Sequence, residues 1–259
     1  MKLEFYKYQG TGNDFVMIDN RSLDFPKDNK KLINKLCDRR FGIGADGLIL
    51  LENDSKSDFK MVYFNADGAL GSMCGNGGRC TVAFAKMLGV IDEKTTFDAA
   101  DGLHNATIKE GIVSLQMADI SILTHYEGYS FLDTGSPHHV EFCEDVAFIN
   151  VKEKGAAIRY GELYLEEGSN INFVSQTGDA HFRVRTYERG VEDETLACGT
   201  GVTAVAIIAH NLDKTTSTSI DLQVEGGLLN VSFTLEDDDY TNVFLTGPAV
   251  NTFNGHIDY

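Results

Sequence analysis

The chain has 259 residues, 42% of them hydrophobic and 24% charged, which is the composition of a water-soluble globular protein with room for two domains. A formal net charge of −17 argues against a nucleic-acid binder, which would show a basic face, and no run approaches the roughly 20 apolar residues of a membrane span. Met1 to Phe15 carries Lys2, Glu4, Lys7 and Asp14, so no secretory signal is read there. Five cysteines with no regular framework predict free thiols in a reducing, cytoplasmic setting. The absence of a Cys-x2-Cys or paired-histidine motif predicts no metal site.

In chain order, Gly12-Asn13-Asp14-Phe15-Val16 opens the first half, and Asp58 to Phe64 reads as a strand that turns at Asn65-Ala66-Asp67-Gly68. Cys74-Gly75-Asn76-Gly77 follows, then a helix expected over Arg79 to Leu88 with Gly89 as its C′ residue. Gly102 marks an acidic turn between two β-rich runs. The second half repeats this order. Gly135-Ser136-Pro137-His138-His139-Val140 echoes the first motif weakly. His181 to Thr186 alternates polar and apolar residues as a strand and turns at Tyr187-Glu188-Arg189-Gly190. Cys198-Gly199-Thr200-Gly201 opens a helix expected over Val202 to His210, closed by Asn211. Cys198 follows Cys74 by 124 positions, and Gly102 and Gly226 each follow their cysteine by 28. Both helices are apolar on every side, so they are expected to be buried.

The fold class is therefore α/β of the α+β kind. Two pseudo-symmetric halves, residues 1–120 and 121–259, are each expected to be a curved, mostly antiparallel sheet around a buried central helix. The terminal segment from Gly247 onward is a candidate to pack back on the first half.

A cysteine followed by Gly-x-Gly and a helix sits where N–H groups point at a bound anion. The thiolate is the reactive form of cysteine and is favoured at such a place. A single Cys-Gly pair is more often structural, but two in matching repeat positions suggest two thiols facing one carbon. A thiolate on one side removes a proton and a thiol on the other returns one, which inverts the centre. The backbones of Gly75-Asn76-Gly77 and Gly199-Thr200-Gly201 are suited to hold the adjacent carboxylate as charge develops, since glycine lets main chain approach closely. A disulfide between Cys74 and Cys198 is an oxidised side state on this reading. A thiol hydrolase would need only one such cysteine.

These segments, together with Gly10-Thr11-Gly12-Asn13-Asp14-Phe15, Phe41-Gly42-Ile43-Gly44-Ala45-Asp46-Gly47, Gly78-Arg79, Glu194-Thr195 and Ala197, resemble the diaminopimelate epimerase family over nearly the whole chain. The resemblance implies a cofactor-independent isomerase, with no pyridoxal phosphate. It also implies a ligand cleft between two domains, closure over the substrate, and a homodimer. The implied reaction is LL-2,6-diaminopimelate to meso-diaminopimelate, for lysine or cell-wall precursor synthesis. Residue by residue, it implies Cys74 and Cys198 as the two bases, and Asn13, Asn65, Asn170 and Arg189 as substrate contacts. Glu188 is the implied partner of the substrate ammonium and His138 the active-site histidine. Asn172 competes with Asn170 for its role. Gln9, Gly47, Ala69-Leu70 and Ser136 depart from the common pattern and bear on affinity and distal-end geometry. A proline-type racemase, a phenazine-type isomerase, and a non-catalytic binding or thiol-redox domain are the competing readings. Glu188-Arg189 and the asparagines favour a long substrate charged at both ends.

Overall fold

A computed structural model describes residues 2–258, and the chain divides into two compact units. The first comprises Met1–Leu115 and Gly247–Tyr259, the second Gln116–Thr246. These bounds differ from the 1–120 and 121–259 division expected from sequence. The difference at the C-terminus has a plain cause: the last strand pairs with the first, Leu3 opposite Ile257 and Phe5 opposite Gly255.

In the first unit, β1 (Lys2–Gly10) and β2 (Asn13–Asp19) form an antiparallel hairpin. Its turn residues Thr11 and Gly12 both have positive φ, 54° and 87°, as a tight two-residue hairpin loop requires. Helix α1 (Lys30–Cys37) carries the chain to β3 (Gly47–Glu52), which lies parallel to β2. β4 (Phe59–Asn65) is antiparallel to β3, and helix α2 (Gly75–Met87) leads to β5 (Lys94–Ala99), parallel to β4. β6 (Gly102–Lys109) and β7 (Ile112–Gln116) complete an antiparallel meander.

The second unit repeats this order. β8 (Leu123–Tyr126) and β9 (Tyr129–Asp133) pair, and β9 is antiparallel to β10 (Pro137–Phe142). Helix α3 (Val151–Arg159) connects β10 to the parallel β11 (Asn170–Gly178). β12 (His181–Glu188) returns antiparallel and carries the short β13 (Asp193–Thr195) at its end. Helix α4 (Gly199–Asn211) crosses to β14 (Ser219–Val224), parallel to β12, and β15 (Gly227–Glu236) and β16 (Asp239–Pro248) follow. The last strand, β17 (Val250–Asp258), is the one that pairs with β1 in the first unit.

Each unit wraps its sheet around one helix. α2 packs on β1, β2, β3, β4, β6 and β17, and α4 on β9, β10, β11, β12, β14 and β15. From Val202 to Ala209 every residue of α4 is buried, within a cluster that includes Leu132, Val140, Val184, Leu222 and Leu245. A helix apolar all round is stable only when enclosed.

Both helices begin earlier than their sequence suggests, at Gly75 and Gly199 rather than Arg79 and Val202. Glycine is a poor helix former, but here close packing decides. A β-carbon on Gly78 would lie 2.5 Å from the Met73 methyl, and one on Gly201 would lie 2.5 Å from Asn172 Oδ1. The end of α4 also differs: Asn211 is helical, and Asp213, with φ 54°, takes the left-handed closing position that Gly89 takes after α2. The turn glycine that matches Gly102 is Gly227 rather than Gly226. Ala99 pairs with Gly102 as Val224 pairs with Gly227, and both glycines have positive φ.

Candidate active site

The two cysteines are the N-cap residues of the two central helices. Cys74 has φ −118° and ψ 117°, Cys198 φ −117° and ψ 109°, and neither side chain caps its own helix. An extended residue at this position turns its side chain out of the helix start while the next N–H groups line up behind it. The first ladder bonds run from Gly78 N–H to Cys74 C=O at 2.7 Å and from Val202 N–H to Cys198 C=O at 3.0 Å. The preceding N–H groups therefore lie at the open, positive end of each helix.

Around Cys74, Asn13 is the hub. Its Oδ1 accepts from the Cys74 thiol at 3.6 Å and from Asn76 Nδ2 at 3.2 Å, and its own amide donates to Asp46 Oδ2 at 2.7 Å. Asp46 is held in turn by Arg39, which also grips both oxygens of Asp14 at 2.9 and 2.7 Å. Lys7 closes this cluster at 2.7 Å from Asp14 and donates to the Gly44 carbonyl. Burial alone would raise the Asp14 pKa, but hydrogen bonds from Arg39 and Lys7 outweigh it and bring it down to about 2. Asn65, at the end of β4, is exposed; its N–H donates to the Ala69 carbonyl and its carbonyl accepts from Gly68 N–H, both at 2.9 Å.

Three of the sequence departures have local explanations. Gln9 accepts from Gly12 N–H at 2.8 Å and so fastens the hairpin turn before Asn13. Gly47 leaves room for Tyr63, whose ring would lie 2.5 Å from a β-carbon there. Ser136 accepts from Asn170 Nδ2 at 3.1 Å.

Around Cys198, the thiol lies 3.5 Å from the Thr200 hydroxyl, and Thr134 donates to the Thr200 carbonyl at 3.0 Å. His138 is fully buried. Its Nδ1 faces Asn172 Nδ2 at 3.2 Å, while Nε2 has no hydrogen-bond partner among the described residues. Burial, aided by the positive charge of Arg189, pushes its pKa down to about 3. It is therefore neutral at ordinary pH. Asn170 and Asn172 separate cleanly. Asn172 is a buried strut that donates to the His139 carbonyl and accepts from Thr186, both at 2.9 Å. Asn170 accepts from the Arg189 N–H at 2.9 Å, which ties it to the Glu188-Arg189 turn. Glu188 accepts from Thr195 at 3.1 Å. Arg189 is exposed and donates to the Glu167 carbonyl at 2.8 Å, with no carboxylate within 4 Å among the described residues.

Within the first unit, Asn13, Asn76 and Cys74 come together, with Asn65 at the end of β4. Within the second, Asn170 and Arg189 are joined and Glu188 is anchored beside them. Sequence reading missed Arg39, Asp46 and Lys7, which brace Asn13, and Thr134, which braces Thr200. Their signal was faint: Asp46 and Arg39 lie 33 and 26 residues from Asn13, and only the fold joins them.

A two-unit α+β chain with one enclosed central helix in each unit defines a recognisable fold class. The phenazine biosynthesis protein of the PhzF family from Bacillus anthracis aligns over 100% of both chains with a TM-score of 0.79 at 13% identity. A hydroxyproline epimerase from Agrobacterium vitis aligns with a TM-score of 0.67 at 14% identity, over 99% of this chain and 92% of that one. At such identities the likeness is one of fold. Sequence is more specific. The diaminopimelate epimerase family matches residues 5–120 and 130–252, and the chain belongs to that family. The diaminopimelate epimerase of Flavobacterium psychrophilum is 61% identical over 252 residues, covering 97% of this chain and 98% of the relative. That of Hydrogenobaculum is 40% identical over 274 residues, covering 98% of each.

Proposed function

We propose that this isomerase epimerises LL-2,6-diaminopimelate to meso-diaminopimelate by a two-base proton transfer between Cys74 and Cys198. The observation that carries the reading is the matched pair of N-cap cysteines, each on a glycine-opened helix and neither spent on capping. One cysteine enters as thiolate and takes the α-proton. The electron pair left on carbon delocalises into the α-carboxylate, held by the N–H groups of Gly75-Asn76 and Gly199-Thr200. The other cysteine delivers its thiol proton to the opposite face. The first ends as thiol and the second as thiolate, so the reverse reaction exchanges their roles.

Recognition of the rest of the substrate falls to polar groups that are already braced. Asn13 and Asn76 stand beside Cys74. Arg189 reads the distal carboxylate, with Asn65 and Asn170 completing that pocket. Glu188 meets an ammonium. His138 acts as a neutral hydrogen-bonding group through Nε2. The proposed chemistry draws on no cofactor. Five free cysteines suit a reducing cytoplasm, and a homodimer is the proposed assembly.

The test is solvent exchange. In D2O, with chelator and a carbonyl reagent present, LL- and meso-diaminopimelate should interconvert, with deuterium entering at the inverted α-carbon. Loss of all activity under these treatments, or inversion without deuterium, would overturn the two-thiol mechanism.

A further inference from the structure

Arg79 lies in α2, five residues after Cys74, and is fully buried. A buried cation ordinarily has a paired anion, because taking a charge out of water is costly unless an opposite charge offsets it. Arg79 has none: no carboxylate lies within 4 Å of it among the described residues. Its hydrogen bonds go to neutral oxygens only, Thr11 Oγ1 at 2.9 Å, Asn76 Oδ1 at 3.0 Å and the Gly75 carbonyl at 3.4 Å, and Nε has no partner.

The protein builds around this unpaired charge. A β-carbon on Gly10 would lie 3.3 Å from an Arg79 Nη and 3.0 Å from the Asn76 carbonyl. Thr11, a β-branched residue, is held at φ 54°, which is unfavourable for such a side chain, with its hydroxyl on the guanidinium. From Arg79 a hydrogen-bond path runs through Asn76 to Asn13 Oδ1, which also meets the Cys74 thiol. The second helix has no such feature. Thr203 occupies the matching place, five residues after Cys198, and donates to the Gly199 carbonyl at 2.9 Å. The two thiols are thus built with different electrostatics.

We infer that Arg79 is a positioning residue for Cys74: a buried guanidinium left without a counter-ion so that the Cys74 thiolate serves as one. This deepens the two-thiol reading and rests on it for its catalytic meaning. The other ionisable groups on α2 and on the first strands packed against it are Cys80 and Lys86 on α2, Lys2, Glu4, Tyr6, Lys7 and Tyr8 on β1, Asp14 and Asp19 on β2, and Lys60 and Tyr63 on β4, with Asp46 and Arg39 of the α1–β3 loop linked through Asn13. The further strands packed on α2 carry Glu52 on β3, His104 and Lys109 on β6, and His256 and Asp258 on β17. Burial pushes Cys80 and Tyr8 up to about 12, so both are neutral, and Asp14 is matched by Arg39 and Lys7.

The experiment is the pH profile of Cys74 alkylation by iodoacetamide, read peptide by peptide in the full chain. It needs no turnover, so its outcome is separate from that of the deuterium test. The wild-type profile should inflect below the ~8.5 of an ordinary thiol. Arg79→Gln should move the inflection up by a pH unit or more, slowing alkylation at pH 7 about tenfold. Arg79→Lys should restore much of it. Thr11→Asp places a carboxylate against the guanidinium at a backbone conformation aspartate tolerates better. It should raise the profile while Arg79 stays in place. Continued protection of the buried Cys80 certifies the fold of each variant. A wild-type inflection at or above ~8.5, or an unchanged profile in either folded charge variant, overturns the inference.

Discussion

At the residue scale, the proposed specificity for a long substrate turns on Arg189. Its backbone N–H is fixed by Asn170 and one guanidinium arm by a backbone carbonyl. The remaining donors suit the two-pronged pairing that arginine makes with carboxylates. Hydrogen bonds to charged groups are worth roughly 1.5–3 kcal/mol each. Arg189→Ala should therefore lower kcat/KM for diaminopimelate by at least about tenfold. An analogue lacking the distal carboxylate should be used poorly by wild type and little worse by the variant. Additive losses in this cycle would show that Arg189 does not read that group. The thiols give a sharper prediction. Cys74→Ala and Cys198→Ala should each abolish inversion, whereas Cys37→Ala, Cys80→Ala and Cys143→Ala should alter stability more than turnover. Near-normal turnover in either helix-start variant would end the two-base mechanism. The helix-start placement of the cysteines was legible in sequence, and Arg189 could be proposed from it, because they sit in repeated, glycine-marked turns. The state of His138 was not, since burial that leaves an imidazole neutral is a property of packing.

At the element scale, sequence disclosed what had a period and hid what depended on contact. β12 alternates buried and partly buried residues from Phe182 to Thr186, and that alternation is visible in its letters. The two central helices were visible as apolar runs, but their first turns were not. Three of the first four residues of α2 are glycine, and only close packing makes such a stretch helical. Helix α3 went unread because it is short and contains Gly155, although Asn150 and Glu153 form a reciprocal cap that marks its start. Gly155 itself is a contact residue: a β-carbon there would lie 2.4 Å from Tyr187 Cβ on β12. Alanine would gain up to about 1 kcal/mol in helix propensity. Overpacking against a fixed strand costs about 1–3 kcal/mol, and here no flexible side-chain end can yield. Gly155→Ala should therefore lower stability by about 1–2 kcal/mol, seen as a lower denaturant midpoint with little change in slope. A stabilised variant would mean that α3 can move away from β12.

At the scale of the whole molecule, the two units share one pattern of elements but lose stability in different ranges of acid pH. In the first unit the carboxylate that matters is the half-buried Asp14, with a pKa of about 2. Its pKa is depressed below the unfolded value near 3.9, so its contribution persists until the pH falls below about 4. In the second unit His138 and His139 are buried and neutral, lowered by burial to about 3 and about 4, with the charges of Arg189 and Lys154 adding to the effect. Below the unfolded histidine value near 6.5, the unfolded chain binds protons that the folded unit refuses. Stability therefore falls as the pH drops from about 6.5, by up to roughly 1.4 kcal/mol per pH unit for each histidine. Between pH 6.5 and 5 the carboxylates remain ionised in both states, so the histidines set the slope. The unit spanning Gln116–Thr246 should loosen first on acidification. Hydrogen exchange resolved by peptide between pH 7 and 5, corrected for intrinsic rates, should show protection falling across β10 and β11 while β2, β3 and β4 hold. His139→Gln should reduce the slope by about half without moving the first unit, since it removes one of two refused protons. Equal slopes in both units, or earlier loss in β2 to β4, would mean that the buried imidazoles are not what limits the protein in acid.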